Sequence, residues 1–261
     1  MIWLDGVLGA VAPRDAGDGA ALFETIGAFR GELRLWDRHL ARLQAGLQRL
    51  GVDAALPAGL HAAAAALLQR SGDDVLRLER RLDPRDGVFR MVTRRRAATG
   101  VAPGGRAGGE VALLPAIVRR PAGPAAGLAA DLKLRPRAFH DALVAEARAG
   151  GADDGIALGD DGALLETSTC NLWLRLDAVW TTPPLDGRIL PGIARALLLE
   201  RARSVGVPVA ERRCDLADLH RADQICVSNS VHGPQPARLL GAAVAEPDSS
   251  LRRLWRLIVA D

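Results

Sequence analysis

The heptapeptide Asp131-Leu132-Lys133-Leu134-Arg135-Pro136-Arg137 holds the only lysine in a chain of 261 residues that otherwise carries 33 arginines. Arginine replaces lysine readily as a surface cation, but its guanidinium stays protonated and does not serve as an amine nucleophile. Lysine can lose its proton, and its amine forms Schiff bases with carbonyl compounds, the aldehyde of pyridoxal phosphate among them. One lysine kept among so many arginines therefore marks Lys133 as a reactive group. The competing explanation, a lysine codon that persisted by chance, is weighed by the neighbours. A pyridoxal phosphate site asks for an anion cup, for a carboxylate that keeps the ring nitrogen protonated, and for a cation that holds a substrate carboxylate. A class I aldolase would use the lysine without those parts, but it favours a (β/α)8 barrel, against which the strand-rich first half argues.

The composition narrows the field. Apolar residues make up 49% of the chain and charged residues 25%, the balance of a soluble protein long enough to bury a sizeable core. A formal net charge of +3 with four Phe, five Trp and no Tyr gives no basis for a nucleic-acid partner, which needs clustered cations and stacking rings. Arg94-Arg95-Arg96 is the one basic run and reads as a strand end or solvated face. The first fifteen residues lack the basic start and apolar core of a signal peptide, and no stretch approaches the ~20 apolar residues of a membrane span. Cys170, Cys214 and Cys226 lack paired metal spacing, as do the five histidines, so no metal is expected and a reducing, cytoplasmic location is.

Periodicity gives an α+β chain. "MIWLDGVL" reads as a strand, and "LFETIGAF-RG-ELRLW" as a hairpin about Arg30-Gly31. Asp37 is expected to cap a helix carrying Leu40, Leu43, Leu47 and Leu50, with a second, Ala-rich helix from Ala58 to Leu68. "DVLRLERR", "GVFRMVTRR" and "GEVALLPAIV" read as strands. The Pro-, Gly- and Ala-rich stretch Arg119–Ala130 reads as a linker. The expected organisation is an N-terminal lobe over 1–118, a linker over 119–130 and a C-terminal lobe over 131–261. Beyond the linker a helix is expected from Pro136 to Arg148. Strands follow at "GIAL", "ALLET", "NLWLRL", "AVWTT", "VPVAERR", "QICVSN" and "PARLLG". Further helices are expected near Gly192, at "LADLH" and at the C-terminal "LRRLWRLIVA".

Four motifs in order, "DLKLRPR", "ALLETSTCNLW", "TTPPLDGRILPGIAR" and "ADQICVSNS", resemble those of the fold-type IV pyridoxal phosphate enzymes, the class IV aminotransferase family. The resemblance spans nearly the whole chain. It implies a two-lobed, D-amino acid aminotransferase-like fold with a small N-terminal lobe and a larger, strand-rich C-terminal lobe, and pyridoxal 5'-phosphate as cofactor. Residue by residue, it makes Lys133 the Schiff-base lysine and proton shuttle. Glu166, 33 residues on, becomes the partner of the ring nitrogen, and Asn171 follows at the family spacing. Pro191-Gly192-Ile193-Ala194 opens a helix whose free amides favour a phosphate. Arg42, in "HLARL", matches the family's phosphate arginine, and Asn229 and Ser230 match the polar pair that closes the cup. The family's Gly-Asp-Gly before Phe23-Glu24-Thr25 is displaced here to Gly17–Gly19, and the segment after the lysine is Leu134-Arg135-Pro136.

Within the family, "SNSVHGPQPARLLG", the Lys133-to-Glu166 spacing and the chain length resemble 4-amino-4-deoxychorismate lyases more than transaminases. The resemblance thus implies release of 4-aminobenzoate and pyruvate, with Arg81 and Arg85 as candidates for the substrate carboxylate. Two alternatives stand: an aminotransferase for branched-chain or D-amino acids, and a cofactor-binding protein without turnover. The implied partners are a small amino substrate bearing a carboxylate and a second copy of the chain in a homodimer.

Overall fold

The computed structural model describes residues 2–4, 7–9, 19–83, 87–95, 111–116, 130–242 and 250–260. Contacts divide the chain into a first unit, Met1–Arg96 with Leu132–Arg137, and a second, Ala97–Asp131 with Ala138–Asp261. This differs from a single division at a linker. Long-range strand pairing decides it: a strand goes with the sheet that takes its hydrogen bonds, wherever it lies in sequence. Residues 119–129 of the expected linker lie outside the described residues.

The first unit holds β1 (Ile2–Leu4), β2 (Val7–Gly9), β3 (Ala21–Phe29), β4 (Glu32–Leu33), β5 (Val75–Arg81) and β6 (Phe89–Arg94). β7 (Val111–Ala116) belongs to the second unit, and the chain then returns to the first for β8 (Leu134–Arg135). The sheet runs β2-β1-β6-β5-β3-β4, with β8 paired antiparallel to β3. The single expected strand at the start is thus a pair, β1 against β2. Side chains alternate across a strand, so Leu76 and Leu78 of β5 point one way and Arg77, Glu79 and Arg81 the other. The apolar face packs with Leu22 and Ile26 of β3 under α1 (Trp36–Arg49) and α2 (Leu60–Ser71), whose Leu43, Leu47 and Leu67 complete the core.

Asp37 does not cap α1. The helix begins at Trp36, after Leu35 in the left-handed conformation (φ 55°), with no side-chain cap. The β3–β4 hairpin closes through Arg34 N–H to Gly27 C=O, so the chain enters the helix directly from the turn. Asp37 lies in the first turn, where its charge favours the positive end of the helix dipole.

The second unit adds β9 (Asp154–Leu158), β10 (Leu164–Thr167), β11 (Asn171–Leu176), β12 (Val179–Thr182), β13 (Val209–Glu211), β14 (Gln224–Asn229) and β15 (Gly233–Leu239). Its helices are α3 (Ala138–Ala149), α4 (Ile193–Ser204), α5 (Leu216–Arg221) and α6 (Ser250–Ala260). The sheet order is β10-β9-β7-β15-β14-β11-β12-β13, and β10 pairs also with β11. Six strands therefore close into a ring, which removes the exposed edges an open sheet would present. The β10–β11 register is the pair Glu166 and Asn171. β11 is buried on both faces: Leu172 and Leu174 pack with Leu113, Ile156 and Val227, while Trp173 packs with Trp180, Leu198 and Leu254 under α4 and α6.

Leu78 is fully buried at the centre of the first unit's core. Leu78→Ala is expected to lower stability by about 2–5 kcal/mol, read as a lower urea midpoint with an unchanged slope.

Candidate active site

In the second unit the short turn of residues 168–170 joins β10 to β11 and sets Glu166 beside Asn171. Asp154, on β9, holds that turn. Its carboxylate accepts the Ser168 hydroxyl (2.9 Å) and the Gly155 amide (2.8 Å). Burial raises the Asp154 pKa, opposed by the hydrogen bonds of Ser168 and Gly155. Glu166 is only 4% exposed. Its Oε2 accepts the Leu190 amide at 3.1 Å, and its Oε1 lies 3.9 Å from His140 Nε2. Asn171 Nδ2 donates to the Leu190 carbonyl at 2.9 Å. Both groups are thus tied to the strand of chain that leads into α4.

Gly192 is the N-cap of α4, with extended backbone, no side-chain cap and no acidic residue in the first turn. A Cβ at this position would collide with Asn171 Oδ1, so only glycine lets the amide pack there. Ile193 and Ala194 form the first buried turn, whose amides have no intrahelical acceptors. Arg195, 2% exposed, anchors the same turn by donating to the Pro183 carbonyl (2.7 Å) and Glu211 (2.8 Å). A buried carboxylate next to a helix N-terminus that carries no competing anion fits pyridoxal phosphate: the helix end suits the phosphate and Glu166 suits a protonated ring nitrogen. Asn229 lies at the end of β14. Its Oδ1 accepts the Val231 and His232 amides, and its Nδ2 donates to Cys170 Sγ at 3.2 Å. Ser230 is half-buried in the turn that follows. Burial drives the Cys170 thiol up to about 12, which leaves it an inert packing group.

In the first unit Lys133 is half-buried immediately before β8. Its carbonyl accepts the Phe23 amide at 2.9 Å, and its Nζ lies 4.9 Å from the centre of the Phe23 ring. The next residue of β3 is Glu24, turned to the core face and 1% exposed. Arg42 grips Glu24 with Nε (2.8 Å) and Nη2 (2.6 Å), and His39 Nδ1 lies 2.7 Å from Glu24 Oε2. Burial works to raise the Glu24 carboxyl, but the Arg42 charge and the His39 and Arg42 hydrogen bonds prevail, and its pKa falls from 4.5 to about 2. Burial pushes His39 below 6.5 against the opposing pull of Glu24, helped by the charges of Arg42 and Lys133. Its Nε2 is buried without a hydrogen-bond partner. Arg42 is therefore a fixed cation, braced from behind by a buried carboxylate. Arg81 ends β5 opposite Ala21, and Arg85 lies outside the described residues.

Sequence reading missed Glu24, His39, His140 and Asp154. Glu24 was findable, because it interrupts the inward row Leu22, Ile26 of an alternating strand. His39 shares the buried face of α1 with Leu43 and Leu47, a face that leucine spacing by itself marks only as apolar.

The profile of the family described as amino-transferase class IV matches residues 21–240. The chain belongs to this family. Its members are pyridoxal phosphate-dependent enzymes, aminotransferases and lyases. The aminodeoxychorismate lyase of Bacillus subtilis is 32% identical over 108 residues, 40% of this chain and 37% of that protein. The chain covers between 17% and 37% of the length of the curated relatives compared, which include branched-chain-amino-acid aminotransferases. Among solved structures, the 4-amino-4-deoxychorismate lyase of Pseudomonas aeruginosa matches at TM-score 0.76 and 28% identity, over 100% of this chain and 99% of that one. The branched-chain amino acid aminotransferase of Escherichia coli matches at TM-score 0.82 over 99% and 93%, but at 20% identity, a likeness of fold alone. The α+β, fold-type IV architecture is thereby established. Among the described residues no helix is long and apolar enough to cross a membrane.

Two outcomes follow from this geometry. Gly192→Ala is expected to displace the Asn171 amide and weaken pyridoxal phosphate binding by about tenfold or more, measured by fluorescence titration of apoprotein. The lowered Glu24 pKa contributes stability that is complete above about 4.5 and is lost as pH falls toward about 2. Glu24→Gln is expected to be less stable near neutrality and to show a flatter stability profile across that acid window, followed by urea melts at successive pH values.

Proposed function

We propose that the protein is a lyase that converts 4-amino-4-deoxychorismate to 4-aminobenzoate and pyruvate with pyridoxal phosphate as cofactor. The observation that carries this reading is the end-to-end match, at 28% identity, to the Pseudomonas aeruginosa lyase. The partial match to the Bacillus subtilis lyase supports it. Bound pyridoxal phosphate supplies an aldehyde for the substrate amine and a cationic ring that draws electrons from the carbon bearing that amine.

The chain's own groups do the rest. Lys133 would hold the cofactor, and its amine would take the proton from the nitrogen-bearing carbon of the substrate. Glu166, held by the Leu190 amide, keeps a proton on the ring nitrogen. The first turn of α4 would take the phosphate, and Arg42 is the phosphate cation that the family resemblance implies. Asn171 keeps the approach to α4 in place through Leu190. The Asn229 amide braces the turn after β14, and Ser230 would offer its hydroxyl to the phosphate. Loss of pyruvate leaves an aromatic ring, so the protein has only to hold the diacid and move one proton. Arg81 and Arg85 remain the proposed carboxylate ligands from sequence. We also propose a cytoplasmic homodimer.

A second reading, an aminotransferase for branched-chain amino acids, is favoured by the curated relatives of that name. One assay separates the two. Cofactor-loaded protein is given 4-amino-4-deoxychorismate without any keto acid. Catalytic release of 4-aminobenzoate and pyruvate, abolished in Lys133→Ala, is expected. Absence of release, together with amino-group transfer from branched-chain amino acids to a keto acid, would establish the second reading instead.

A further inference from the structure

The face of the first unit's sheet that turns away from its leucine core carries a cluster of cations around one carboxylate. Glu79, 3% exposed, sits at the centre. Arg77 Nε lies 2.7 Å from its Oε1, Arg135 Nη1 3.0 Å from the same oxygen, and Arg90 Nη1 3.9 Å from Oε2. One carboxylate thus meets three guanidinium groups. The register explains the convergence: Glu79 is opposite Phe23 on one side and Arg90 on the other, while Ala21 of β3 is opposite both Arg81 and Arg135. Among the described strand residues on this face of β3, β5, β6 and β8, Glu79 is the only acid.

Lys133 belongs to the same surface. The Phe23 ring is approached by Arg77 (4.2 Å), by Lys133 Nζ (4.9 Å) and by Arg137 (5.9 Å). Burial lowers the Arg77 pKa, Glu79 opposes the change, and Arg135, Arg137 and Arg94 push it down further. Cations packed this closely repel one another and gain most when an anion joins them. Arg77 remains 36% exposed and Arg135 24% at the side chain, so both keep surface for a ligand, whereas Arg90 at 10% is largely structural.

We propose that Arg77 and Arg135 form a carboxylate-binding site beside Lys133, specific for a substrate carrying two carboxylates. The pair is pre-oriented by Glu79, which sets the planes of both guanidinium groups before the ligand arrives. These arginines are distinct from Arg81 and Arg85. The inference rests on the lyase reading for its ligand, since 4-amino-4-deoxychorismate is a dicarboxylate.

Chorismate tests the site, because it carries both carboxylates and has no amine to react with the cofactor. Isothermal titration of cofactor-loaded protein is expected to show binding that Arg77→Gln and Arg135→Gln each weaken by about tenfold or more. In turnover the same variants are expected to raise KM for the amino substrate far more than they lower kcat. Arg135→Gln leaves Glu79 with less compensation, so the double variant Glu79→Gln/Arg135→Gln guards against a folding defect. It is expected to bind chorismate as weakly as Arg135→Gln alone. Recovery of wild-type affinity in the double variant would mean that Arg135 serves only to neutralise Glu79, and would overturn the proposal. Wild-type protein that takes no chorismate, or single variants that bind it unchanged, would overturn it too. Arginine-dependent chorismate binding without release of 4-aminobenzoate would sink the lyase reading and leave this site standing.

Discussion

A carboxylate removed from water must find cations or N–H donors, and this requirement organises both units. Glu24, Glu79, Asp154 and Glu166 are each no more than 4% exposed. An unpaired ion at such depth costs several kcal/mol even after relaxation, so each has drawn its neighbours into a fixed pattern. Glu24 locks Arg42 and His39 onto β3. Glu79 gathers arginines from β5, β6 and β8. Asp154 pins the turn that joins Glu166 to Asn171. These contacts are where each unit's framework becomes specific chemistry.

In the second unit the closing pair of the strand ring is also the pair proposed to serve the cofactor. Glu166 and Asn171 bridge β10 and β11, and each also bonds to Leu190. Ring closure therefore fixes the approach to α4, and Gly192 then permits the close packing of Asn171. In the first unit β8 adds two residues to the edge of β3, enough to hold the backbone of Lys133 through Phe23. Lys133, immediately before this short strand, is thus held in place by its main chain.

Much of this was legible in the sequence because it is local. The alternating runs around Glu166 and Asn171 reported strands, Pro191-Gly192 announced a helix start, and a lone lysine stood out by composition. What escaped was non-local. No periodicity in "DLKLRPR" shows that Leu134 pairs with Leu22 across the sheet. The Asp37 cap failed because a left-handed Leu35 feeds the helix straight from a hairpin. Nothing local to α1 shows that Glu24 lies opposite His39. The Asn229 amide bonds within its own turn and to Cys170, a contact with a tertiary neighbour that no local pattern shows.

The central claim is that Lys133 is the amine to which the cofactor is joined. Borohydride reduction of purified holoprotein, followed by peptide mass spectrometry, tests it most directly. The account requires a phosphopyridoxyl group fixed on the peptide containing Lys133, with none on the Lys133→Ala variant. Holoprotein that binds pyridoxal phosphate but carries no such group at Lys133 after reduction would contradict it.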